Sequence, residues 1–129
     1  MIFFFSKSRF SPALRCLSLA IDKILLENPI NKMNPREKEK LVKLYIKRAQ
    51  CYMQMAEKYG KISYANLCAD DCSFIANENN LDKRLIMLEL GVLHQRSGEF
   101  IKRHQESERV RENRRQRQGQ VLKTTQKNL

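Results

Sequence analysis

The chain has 129 residues, a net charge of +11, no Trp, four Gly and three Pro. That length fits one domain with a modest core. So few Gly and Pro leave little material for turns, which points to long helices.

In chain order, Met1–Phe5 is apolar, but it lacks a basic leader and a cleavage site and is too short to span a bilayer. Ser6–Arg9 reads as a turn. Ser11-Pro12 is a cap and first-turn pair opening a helix that carries Ala13, Leu14, Leu17, Ala20, Ile21, Ile24 and Leu25. Asn28-Pro29 ends it, and residues 28–34 form a polar linker. Asn34-Pro35-Arg36-Glu37 then starts a second helix, with Glu37 placed to reach back to the cap. Leu41, Leu44, Tyr45, Ala49, Tyr52, Met55, Ala56 and Tyr59 recur at steps of three and four, so one apolar face runs from about 35 to 59. Gly60 breaks it. A third helix, from about 64 to 77, carries Ala65, Cys68, Ala69, Cys72, Ile75 and Ala76 on one side. Asn77–Asn80 lacks periodicity. The next helix is expected from Leu81 to His94 or Gln95, closed by Ser97-Gly98 as a C-cap turn. A fifth starts at Phe100, where Arg103, His104 and Ser107 occupy positions that should be apolar. Disorder is expected from Gln116 onward.

Charge is unevenly spread. Residues 101–129 hold nine Lys/Arg against three Glu, including Arg109, Arg111, Arg114, Arg115 and Arg117. Such a run can meet phosphates or an acidic protein face, or can be a solvated helix end. The four cysteines, Cys16, Cys51, Cys68 and Cys72, fall on apolar helical faces as small hydrophobes. With His94 and His104 their spacing fits no common metal site, and no metal or cofactor is expected. Reduced thiols without a secretory signal place the chain in the cytoplasm, with the nucleus as an alternative. No Ser–His–carboxylate order and no Gly-rich phosphate loop is present, so no enzyme is expected. Asp70 and Asp71 read as surface charge. Tyr45, Tyr52, Tyr59 and Tyr64 read as core packing rather than a stacking platform.

Three helix openings match one another. Phe10, Ala13 and Ala20 follow the same spacing as Ile62, Ala65 and Cys72, and as Phe100, Arg103 and Val110. Small residues are needed where helices cross closely. Ala49 and Gly91 hold such places in the helices that precede, each with a ring side chain three residues later, Tyr52 and His94. On these marks the chain resembles a tetratricopeptide-repeat domain, whose unit of about 34 residues forms two antiparallel helices. Leu44–Tyr52 and Leu88–Phe100 resemble first helices of a unit, and Phe10–Ile21 resembles a second helix. The likeness spans about residues 4–113, and it is nearest to the repeat domains of large immunophilins and related co-chaperones. A weaker likeness is to repeats attached to SET-and-MYND methyltransferases, which would make the chain part of an enzyme. The expected fold is all-α: a short right-handed superhelix of antiparallel helix pairs, about five helices over residues 1–113, followed by a basic tail at 114–129. The first unit lacks most of its opening helix, which leaves Leu14, Leu17 and Ile21 partly uncovered. Met1–Phe5 folding back, self-association, or a partner would cover them.

The resemblance implies a non-catalytic adaptor that binds a peptide or helix of another protein in a concave groove. The groove positions it implies are Lys43, Lys47, Gln50 and Gln54, then Leu85, Glu89, Val92 and Arg96. Co-chaperone repeats that clamp acidic chaperone tails use Lys, Asn and Arg. Here Lys47 stands where the Asn is expected, and Leu85 and Glu89 stand for a Lys and an Arg. A glutamate facing a carboxylate is repulsive, so tail binding in that mode is expected to be weak. The alternative function is binding of nucleic acid, or of an acidic partner, through the arginine-rich end.

Overall fold

A computed structural model describes the backbone of residues 10–84 and 86–127, and the side chains of residues 12–84 and 86–119. Among the described residues there are four α-helices and no strand: α1 Phe10–Glu27, α2 Pro35–Tyr59, α3 Ile62–Asn77 and α4 Met87–Lys127, with a 3-10 turn at Ile30–Lys32. The chain is all-α, and four helices stand where about five were expected.

The boundaries of α2 follow from local chemistry. The Asn34 side chain accepts from the Glu37 backbone N–H at 2.8 Å, and Pro35 opens the helix. The Glu37 carboxylate does not turn back to the cap; it accepts from Asn28 Nδ2 at 3.3 Å, tying helix and linker together. Gly60 ends α2 at φ 64°, with its N–H on the Ala56 carbonyl at 2.8 Å. A side chain there would be strained, which is why the helix stops at a glycine.

Two boundaries differ from the sequence expectation. Leu81 does not begin a helix. It drops into the core from a turn, and the Asp82 carboxylate accepts from the Arg84 backbone N–H and pairs with its guanidinium. That local turn competes with helix formation, so α4 starts at Met87. At its other end α4 does not stop at Ser97-Gly98, because only Gly60 has positive φ among the described residues. The helix passes Gln116 and continues to Lys127, so residue 113 lies within α4. Arg, Gln and Glu are good helix formers, and Glu108–Arg111 and Glu112–Arg115 support it at i,i+3.

α1 packs on α2, α2 on α3 and α4, and α3 on α4. The core draws Ile21 from α1, Leu41, Val42, Ile46, Ala49 and Met53 from α2, Ala65, Cys68, Cys72 and Ile75 from α3, and Leu90 and Leu93 from α4. Ala49 and Ala65 are fully buried, as close helix crossings require. Ala13 is half-buried and Gly91 is exposed, with open space where its Cβ would lie. The small buried residue of α4 is instead Ser97, whose hydroxyl donates to the His94 carbonyl at 3.1 Å.

Ile21, expected to be uncovered, is buried, while Leu14 and Leu17 are half-buried. The exposed apolar residues of α1 are Leu19 and Leu26. Met1–Phe5 and Leu85 lie outside the described residues.

Candidate protein-binding face

At about 100° per residue, Lys43, Lys47, Gln50 and Gln54 form one line along α2. All four are exposed. Glu57 extends that line by one step. It pairs with Arg96 of α4, whose own exposed line runs Glu89, Val92, Arg96. The groove positions on both helices therefore lie on adjoining surfaces, joined at one end by an ion pair. At the other end, Pro35, Lys38, Glu39, Val42 and Lys43 of α2 and Asn80, Asp82 and Ile86 of the connection line a cavity of about 390 Å³. Val42 and Ile86 line the same cavity and Glu57 meets Arg96 further along, so α2 and α4 run in the same direction with α3 returning between them.

Within this face Lys43 pairs with Glu39 at 3.0 Å. Lys47 and Glu89 have no such partner among the described residues. The half-exposed Glu57–Arg96 pair contributes only about 0.2–1 kcal/mol. It sets position more than stability. Arg36, Lys40, Lys43 and Lys47 border a second, shallower depression with Glu39 as its one acid, which leaves the α2 side basic.

Behind the face sits a polar node that sequence reasoning misplaced. Asp71 is buried, not surface charge. Its two carboxylate oxygens accept from Arg48 at 2.8 Å and 2.6 Å, and the third Arg48 nitrogen donates to Ser18 at 3.3 Å. One guanidinium thus ties α2 to α3 and α1. It also lies over the rings of Tyr45, at 5.2 Å, and Tyr52, at 5.8 Å. Tyr45 stacks on Phe74 at 4.8 Å. The hydrogen bonds to Asp71 hold the Arg48 guanidinium above its ordinary value, and burial pushes up the Tyr45 and Tyr52 phenols. The tyrosines are packing residues, Tyr45 fully buried and Tyr52, Tyr59 and Tyr64 half-buried.

All four thiols are free. Cys68 and Cys72 are buried, Cys51 is half-buried, and Cys16 points outward, off the apolar face expected for it. The hydrogen bond with Cys72, together with burial, raises the Cys68 thiol above its ordinary range. Among the described residues no group of three or more His, Cys, Asp or Glu could hold a metal ion, and no helix is long and apolar enough to cross a membrane.

The arginines named at the C-terminal end differ in their pairing. Arg111 pairs with Glu108 at 3.2 Å and Arg115 with Glu112 at 3.9 Å, while Arg109, Arg114 and Arg117 have no partner among the described residues. Because α4 is unbroken, its groove line continues without interruption from Glu89, Val92 and Arg96 through Glu99 and Arg103 to Arg114 and Arg117. The signal for this was present in the spacing. A stop at Ser97-Gly98 would divide it.

No family model, curated protein or solved structure matches the chain.

Proposed function

We propose that this protein is a non-catalytic, cytoplasmic adaptor built as a short right-handed stack of tetratricopeptide-like helix pairs, holding a segment of another protein across α2 and α4. The observation that carries this reading is the alignment of two parallel helices, α2 and α4, whose exposed lines adjoin. In a stack of helix pairs, the first helices of successive units line one concave surface. In this reading α2 and α4 are the first helices of successive units, with α3 as the second helix of the unit they bracket and α1 as the second helix of the unit before.

The chemistry of the face favours a partner with one apolar side chain flanked by carboxylates. Val42 and Ile86 offer the apolar part of the cavity, and Lys38, Lys43 and Lys47 offer cations beside it. Glu89, exposed on the line of α4, weakens any copy of the co-chaperone carboxylate clamp. The four thiols fit a reducing compartment.

The test places a photo-crosslinking residue at Gln50 and identifies the captured protein by mass spectrometry. The Lys43→Glu, Lys47→Glu double variant should lose that capture while keeping its helical circular dichroism. Capture unaffected by the double variant would refute the face. Tight binding of an acidic chaperone-tail peptide would refute the role given to Glu89.

A further inference from the structure

The half of α4 beyond the core has a different chemistry from the rest of the molecule. Residues 105–118 are exposed on every side. Between residues 103 and 118 every cation is arginine, six of them, and the single apolar residue is Val110. At about 100° per residue, Arg103, Val110, Arg114 and Arg117 fall within a narrow stripe, with Arg109 on one flank and Arg111 on the other. Glu108 and Glu112 lie on the back, Glu108 reaching Arg111 on its flank and Glu112 holding Arg115. Glu106, at the stripe's edge, is its one acid. The helix is thus sorted by charge, basic in front and acidic behind, and no described residue of the other helices pairs with the arginines in front.

We propose that residues 103–118 of α4 bind double-stranded DNA by lying in its major groove. This does not rest on the adaptor reading. A helix about 10–12 Å across fits a groove about 12 Å wide. The deep, narrow major groove of duplex RNA does not admit side chains in this way. From Arg103 to Arg117 the helix rises about 21 Å, close to six base-pair steps of about 3.4 Å. Guanidinium groups suit phosphate oxygens and guanine edges in two-pronged geometry, which ammonium groups do not. Asn113 and Gln118, near the same front, are residue types that read adenine. An acidic protein partner fits less well, because a protein interface needs an apolar centre and Val110 alone cannot supply one.

The experiment is fluorescence anisotropy of the full chain with a labelled 20-base-pair DNA duplex, in parallel with an RNA duplex of the same length and a poly-glutamate peptide. Four unpaired arginines meeting phosphates predict a log–log salt slope near −3.6, so affinity should fall about 100-fold between 50 and 200 mM salt. Arg103→Ala, Arg114→Ala and Arg117→Ala together should weaken binding at least tenfold and bring the slope close to −1. Alanine is the best helix former, so circular dichroism should show the helix retained. Arg115→Ala, on the back, should change affinity less than twofold, and Glu106→Gln should tighten binding, a gain that cannot come from misfolding. No binding to DNA at 50 mM salt would overturn the proposal. So would RNA or poly-glutamate binding as tightly as DNA, equal losses from front and back variants, or no gain from Glu106→Gln.

Discussion

Asp71→Ala is the substitution that most sharply probes what holds the helices in register. The Asp71 side chain is 7% exposed and that of Arg48 17%. Removing the carboxylate leaves a guanidinium enclosed by Tyr45, Tyr52 and Ser18 with one weak acceptor in place of three bonds. Breaking one side of a buried pair costs about 3–5 kcal/mol, mostly because the remaining charge is stranded. A domain of this size has about 5–15 kcal/mol in total, so the variant should lose about a fifth of its stability or more. Arg48→Met should cost a similar amount by stranding Asp71. The double variant, Arg48→Met with Asp71→Ala, should recover about 2–4 kcal/mol of the summed loss, because no charge is then left without a partner. Urea titrations followed at 222 nm measure all four corners of this cycle. A cost below about 1 kcal/mol for Asp71→Ala, or losses that simply add, would refute the node.

Three further outcomes follow from packing and titration. Gly91→Ala and Gly98→Ala should each stabilise by about 0.5–1 kcal/mol in urea melts, since both sit mid-helix with open space at the Cβ; a C-cap at Gly98 would make its substitution destabilising. Ala65→Leu should destabilise by about 1–3 kcal/mol by the same assay, because that residue is fully buried against α2. Stability should fall as the pH is raised past about 9. Burial raises the Cys51 thiol from 9.0 and the Tyr45 and Tyr52 phenols from 10.0. A folded-state value above the unfolded one gives stability that is complete below the unfolded value and is lost as pH rises toward the folded one. Urea midpoints at pH 7, 8.5 and 10.5 check this, and a flat profile would count against the burial of these groups.

The helices with strong periodicity and capping were legible in the sequence. α2 shows its start in Asn34-Pro35 and its end in Gly60, and both hold. Ala49 and Ala65 were legible as tight crossings, because a small residue within an apolar line has few other uses. Gly91 carried the same mark without the same place: smallness permits a close approach but does not compel one. Ser97-Gly98 misled for a related reason. A glycine ends a helix only if it takes positive φ, and that depends on what packs beyond it. Asp71 was unreadable because its partner, Arg48, lies 23 residues away on another helix. Adjacent acids look like surface until the helix is rotated against its neighbours. The groove lines of α2 and α4 were each visible as spacings, whereas their side-by-side placement came only with the Glu57–Arg96 contact.

The account depends most on α4 being one helix from Met87 past Gly98, which puts the groove line and the arginine stripe on a single rod. Double electron–electron resonance between spin labels at positions 92 and 114 tests this directly. Cys16 and Cys51 are replaced by Ser, and the buried Cys68 and Cys72 are left in place. An unbroken helix predicts a separation of about 33 Å with a narrow distribution. A chain that turns back at Gly98 into a further hairpin would bring the labels within about 20 Å, and that result would contradict the account.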